Sequence, residues 1–228
     1  MIVAERKPFE DILRMLGEAR RVMVLGCRTC VAVCLAGGDR EVGVLASELR
    51  LKAQADGRDL TVIEKSVERQ CDREFVEPLS DEVADVDVVL SLACGCGVQF
   101  MAEVFPDLLV MPGLDTKLIG VTEAEGQWGE RCATCGNCVL DVTGGVCPFA
   151  RCSKTLLNGP CGGSQDGRCE IDPDVPCAWQ LIYDRLERLG RLDQLSKVIE
   201  LRDWRTARDG GPRKVTRPEA RIAKETKE

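Results

Sequence analysis

Hydrophobic periodicity divides the chain into two unlike halves. In PFEDILRMLGEARRV the apolar residues Phe9, Ile12, Leu13, Leu16 and Ala19 fall on one face and predict a helix. The run VMVLGC, residues 22–27, is apolar without interruption, as a strand buried on both faces of a parallel sheet would be. REVGVLASELRLKAQA returns to a helical period. LTVIEKSV (60–67), DVDVVLSLAC (85–94) and DLLVMPG (107–113) predict three further strands, with a short helix at VQFMAEVF between the last two. TKLIGVTEAEG adds one more short apolar run before turn residues take over. Strand and helix alternating in this way predict an α/β fold, a Rossmann-like parallel sheet with helices on its faces, over residues 1–125.

Beyond that point the periodicity is lost. From Gly129 to Pro176, Gly, Pro, Asn and Cys dominate. Such a segment has too little apolar side chain to hold itself together and calls for metal staples. A small cysteine-rich, metal-stapled domain is therefore expected over residues 126–204. Its closing piece, CAWQLIYDRLERLGRLDQL, is an amphipathic C-terminal helix with Trp179, Leu181, Ile182, Leu186 and Leu189 on or near one face and Gly190 at its end. Trp179 and Tyr183 are residue types that anchor interfaces, so this helix is also a candidate partner surface. Residues 205–228 are basic and polar and read as a flexible tail.

Composition narrows the functional classes. The chain of 228 residues carries a formal net charge of −7, so it lacks the basic footprint of a nucleic-acid binder. No apolar run approaches the ~20 residues that span a bilayer. Histidine is absent, which excludes His-based triads and mixed Cys/His zinc fingers. MIVAERKPFEDIL has no apolar signal region, so a reducing cytoplasmic setting is expected. There the fourteen cysteines point to metal rather than to disulfides.

The cysteines form three groups. Cys132, Cys135, Cys138 and Cys147 spell C-x2-C-x2-C-x8-C-P, three closely spaced thiols and a distant fourth followed by proline. That is a cluster-binding arrangement of the bacterial ferredoxin kind, with x8 where x3 is usual, and it predicts one [4Fe–4S] cluster closed within the segment. A zinc site would more commonly take two separated pairs. In the first half, Cys27, Cys30, Cys34, Cys71, Cys94 and Cys96 all fall at or just after strand ends. That is the edge where open α/β sheets bind ligands, and a second cluster is expected there. Six candidates exceed four ligands; Cys30, Cys34, Cys71 and Cys94 rank first, Cys27 next and Cys96 last. Any one of them has the alternative role of a small buried hydrophobe. GCRTC lacks the glycine spacing of a phosphate loop, so no nucleotide site is read here. The third group, Cys152, Cys161, Cys169 and Cys177, has spacings that do not discriminate a further cluster from an all-cysteine zinc site. Arg151, Lys154 and Arg168 place positive charge near it in sequence, which favours a reduced, more negative centre, so a [4Fe–4S] cluster is preferred to zinc at this set.

CGNCVLDVTGGVCPFARCSKTLLNGPCGGSQDGRCEI followed by CAWQLIYDRL resembles the methylenetetrahydrofolate reductase C-terminal domain family. Together with GCRTCVAVCLAGGDREV, ERQCD and LACGCGVQ, the chain is similar to the family of MetV-type iron–sulfur small subunits of the bacterial enzyme. In LACG, Cys94 matches the family's cysteine and Cys96 is an extra. The resemblance implies two or three [4Fe–4S] clusters, with zinc as the alternative for the third. It also implies a separate catalytic subunit carrying flavin and folate, and a role in passing electrons to it from a further donor protein. Three functions stay open at this point: an electron-transfer subunit without a catalytic site of its own, a zinc-stabilised scaffold that anchors the catalytic subunit, and a free-standing iron–sulfur enzyme or corrinoid activator.

Overall fold

The computed structural model describes residues 1–217 and Glu219. The chain divides into two compact units, Met1–Glu130 and Arg131–Glu228.

In order, the first unit contains β1 (Ile2–Arg6), α1 (Phe9–Leu16), β2 (Arg21–Cys27), α2 (Cys30–Val33), α3 (Asp39–Ala55) and β3 (Thr61–Val67). Then come α4 (Arg73–Val76), α5 (Ser80–Val83), β4 (Val88–Leu92), α6 (Gly95–Val104), β5 (Leu109–Pro112), β6 (Leu114–Ala124) and β7 (Gln127–Glu130). The fold is α/β. A parallel four-stranded sheet has the order β3-β2-β4-β5. The sheet runs outward in both directions from the β2/β4 pair, so the two central strands flank a topological switch point. In open α/β sheets the crevice beyond the carboxyl ends at that point is where ligands bind.

The sheet is buried on both faces, which explains the unbroken apolar reading of β2. Val22 and Val24 join one core with Ile12, Leu45, Leu49 and Leu90. Met23 and Leu25, which point the other way along the same strand, join Val76, Leu79, Val83 and Met101 in a second core. Gly37 lets the loop after α2 lie against β4. A Cβ there would sit 1.9 Å from the Leu92 carbonyl oxygen. Its own carbonyl accepts a hydrogen bond from the Cys27 amide at 2.8 Å.

Two features differ from the sequence reading. The helix expected to reach Ala19 stops at Leu16, because Gly17 turns the chain at φ +50°. The short apolar run in TKLIGVTEAEG is part of an eleven-residue strand, β6. It forms a second, antiparallel sheet of order β1-β6-β7, with Ile2 opposite Ile119 and Val121 opposite Gly129.

The second unit holds little regular structure. α7 (Pro148–Arg151) and α8 (Ala178–Arg188) are joined by irregular chain, with short 3-10 turns at Leu192–Ser196, Trp204–Thr206 and Arg208–Gly210. Its apolar centre is Trp179, Ile182 and Leu186, with Val146, Cys152 and Cys177 packed against them. Gly190, at φ +64°, follows the end of α8 as expected.

Candidate metal centres

All fourteen cysteines are free thiols. In the first unit, Cys27 is the last residue of β2, Cys94 caps the N-terminus of α6, and Cys71 lies in the loop after β3. Three different strand ends thus deliver one thiol each. They lie near enough to feel one another's charge: Cys71 is pushed above the ordinary thiol range first by burial, then by the negative charge that Cys27, Cys94 and Cys96 would carry. Cys96 is raised by burial and by Cys94, with which it shares a hydrogen bond. Cys27 Sγ also lies 3.8 Å from Thr29 Oγ1. Cys71 and Cys96 resist ionisation in these surroundings, and a positive centre beside them would stabilise their thiolates.

Cys30 and Cys34 behave differently. Cys34 is buried in the apolar core, and its thiol donates to the carbonyls of Val31 at 3.5 Å and Ala4 at 3.8 Å. Burial raises it, and Cys30 is the thiol whose charge it feels. It therefore faces the strand that the sequence reading missed, β1. Cys96, ranked last by spacing, stands with Cys71 and Cys94.

Sequence reasoning also missed the residue that ties these strand ends together. Gln70, fully buried, donates through Nε2 to the carbonyls of Leu25 at 2.8 Å and Gly26 at 3.2 Å. Its Oε1 accepts from Ser91 Oγ at 2.6 Å, and Ser91 Oγ in turn accepts from the Ala93 amide at 3.3 Å. One side chain thus links the residues just before Cys27, Cys71 and Cys94. A glutamine next to a cysteine carries no local signature of this.

In the second unit, Cys132, Cys135, Cys138 and Cys147 share an irregular loop that ends at α7, which Cys147 caps. The loop turns through positive φ at Thr134 (+53°) and Gly136 (+81°). Cys132 Sγ accepts from the Thr134 amide at 3.3 Å, and Cys135 is buried. Residues from far along the chain clamp this loop. Arg202 Nη2 and Thr206 Oγ1 each donate to the Cys135 carbonyl at 3.0 Å, and Arg213 Nη1 donates to the Thr134 carbonyl at 2.6 Å. A side chain at Gly136 would collide with the Thr206 carbonyl oxygen, 2.1 Å from its Cβ position.

Cys152, Cys161, Cys169 and Cys177 line one small cavity together with Arg151, Lys154 and Trp179. Lys154 pairs with Glu170 there. The Cys169 thiol is held below its ordinary value, first by the Ser153 hydroxyl at 3.5 Å, then by backbone amides and by Lys154. Arg168 contributes through its backbone, bridging Gln165 and Pro176. Trp179 is not a surface anchor. Its indole is buried and donates to the Leu156 carbonyl at 3.0 Å, whereas Tyr183 is the exposed aromatic of α8.

Among the described residues, no three cysteine or acidic side chains are gathered in the arrangement of a bound ion. The donor sets fit metal by their chemistry: neighbouring thiols at the sheet edge, four thiols around one cavity, and a clamped cysteine loop beside the half-buried Arg202. Among the described residues no helix is long and apolar enough to cross a membrane.

The fold and its cysteines define a thiol-rich α/β protein with candidate metal centres at the carboxyl edge of a parallel sheet and in a cysteine-rich second unit. Residues 111–205 match the family described as methylene-tetrahydrofolate reductase C terminal, a stretch that holds all eight cysteines of the second unit. No curated protein and no solved structure returned a match.

Proposed function

We propose that this chain is an electron-carrying component of a methylenetetrahydrofolate reductase and has no catalytic site of its own. The observation that carries this is the family match over 111–205, which spans both the ferredoxin-like motif and the four-cysteine cavity. Reducing a methylene to a methyl group takes two electrons and two protons. Bound [4Fe–4S] clusters would supply one-electron carriage, with two successive transfers from an upstream donor protein completing the pair on the flavin of a separate catalytic subunit.

Within this reading, Cys132, Cys135, Cys138 and Cys147 hold one cluster. Cys27, Cys71 and Cys94 contribute to a second at the sheet edge, with Cys30 or Cys96 completing it. Cys135 is largely buried and its carbonyl is held by the clamp, while Gln70 ties together the chain just ahead of Cys27, Cys71 and Cys94. At Cys152, Cys161, Cys169 and Cys177, the small cavity closed by the buried Trp179 favours a structural zinc over a third cluster. The scaffold reading is thereby retained for that centre alone.

The test is metal and sulfide analysis of anaerobically purified protein, followed by mixing its reduced form with the flavin-bearing catalytic subunit. Two clusters' worth of iron and sulfide, one zinc, and reduction of the partner's flavin are expected. Protein with zinc only, or iron-loaded protein that leaves the flavin oxidised, overturns the proposal.

A further inference from the structure

Arg202 is the least satisfied cation among the described residues. Its Nε and Nη1 are buried and have no hydrogen-bond partner among the described residues. Its guanidinium carbon lies 4.6 Å from the centre of the Phe149 ring and 5.3 Å from that of Trp204, and these two rings meet edge to face at 5.3 Å. Its one donated hydrogen bond, from Nη2, goes to the Cys135 carbonyl. Ring faces recover part of the cost of burying a cation, and one carbonyl recovers a little more. Neither supplies the counter-charge that a guanidinium with two buried nitrogens ordinarily keeps.

The position of the side chain says where that counter-charge belongs. Arg202 is braced between the carbonyl of Cys135 and the ring of Phe149, which lies two residues beyond Cys147. It thus touches the ferredoxin-like motif near its second thiol and near its fourth. The nearby Arg205, by contrast, has its charge met by Asp203 at 2.8 Å and is largely exposed.

We infer that Arg202 is a positioning and tuning residue for the centre held by Cys132, Cys135, Cys138 and Cys147. Its free Nε–H and Nη1–H face that centre's negative charge and favour its reduced state. This rests on the reading of those four cysteines as cluster ligands. Reduction adds a negative charge, and a fixed cation nearby stabilises the more negative form, so the arginine raises the reduction potential.

The experiment is a redox titration of the full chain with its iron–sulfur centres intact, followed by electron paramagnetic resonance. Cys135→Ser identifies the signal of this centre by its loss. Arg202→Gln is expected to shift that signal alone to lower potential, by tenfold or more in the reduction equilibrium, or about 59 mV for a one-electron couple. Arg202→Lys, which keeps the charge, is expected to restore most of the shift. Arg205→Gln, which removes a paired charge from the same stretch, is expected to change nothing. If Cys135→Ser keeps every signal and its full iron content, the ligand reading and this inference both fall. If Cys135→Ser loses one signal but Arg202→Gln leaves its potential unchanged, the inference alone falls. Loss of the centre in both Arg202 variants also overturns it, because the residue would then act only as a structural clamp.

Discussion

Ser91 Oγ donates to Gln70 Oε1 at 2.6 Å, and both side chains are fully buried beneath the carboxyl edge of the parallel sheet. The amide end of Gln70 holds β2 by two carbonyls while its oxygen holds β4 through Ser91. Gln70→Ala removes one hydrogen bond from each of two carbonyls and leaves the Ser91 hydroxyl proton without its acceptor. It is expected to cost about 1–3 kcal/mol, read as a lower denaturation midpoint. It is also expected to lower the iron content of the first unit while leaving the Cys132–Cys147 signal intact. Full iron and unchanged stability in that variant would show that the strand ends hold their places without it.

Cys71 and Cys34 are expected to part company. Cys71→Ser removes a thiol from the group of Cys27, Cys94 and Cys96 and should cost one cluster's worth of iron and sulfide. Cys34→Ala removes a buried atom from an apolar core and should leave iron unchanged, with a stability loss of roughly 1 kcal/mol. Iron analysis of the two variants side by side decides it. Loss of iron from Cys34→Ala would make that cysteine a ligand and require its loop to rearrange when metal binds.

Trp179→Ala tests the interior role of α8. The ring fills the centre of the second unit beside Ile182 and Leu186 and satisfies the Leu156 carbonyl. A loss of about 3–5 kcal/mol is expected, seen as an earlier thermal transition. A variant as stable as the parent that only weakens partner binding would return the side chain to a surface role.

Gly136→Ala meets two obstacles at once, a backbone at φ +81° and the Thr206 carbonyl oxygen. Strain of about 1–3 kcal/mol is expected. The reporter is the rate at which iron leaves the Cys132–Cys147 centre in the presence of a chelator, which should rise. An unchanged rate would mean that the loop and its clamp can separate without loosening the metal.

The parallel sheet was legible because each of its strands carries its own pattern: a continuous apolar run predicts β2, and one broken only by Ser91 predicts β4, each from local sequence alone. The antiparallel sheet was not, since β1 pairs with β6 more than a hundred residues away and neither run is distinctive in isolation. That omission has a direct consequence for the cysteines. Without β1 nothing in the sequence says that the Cys34 thiol has the Ala4 carbonyl to turn towards, so helical spacing grouped it with Cys30. The four cysteines from Cys152 to Cys177 were legible as a set, and they share one cavity. Arg202 and Gln70 were invisible for the opposite reason. A single polar residue announces nothing until the fold surrounds it.

The clamp on the Cys132–Cys138 loop also has a consequence for how the protein is made. Arg202, Thr206 and Arg213 follow the carbonyls they bind by 67, 71 and 79 residues. During synthesis the cysteine loop therefore leaves the ribosome before its fasteners do, and throughout that interval its thiols lack the clamp. Closure comes only when residues 202–213 fold back, so the order of translation itself sets a window for loading before locking.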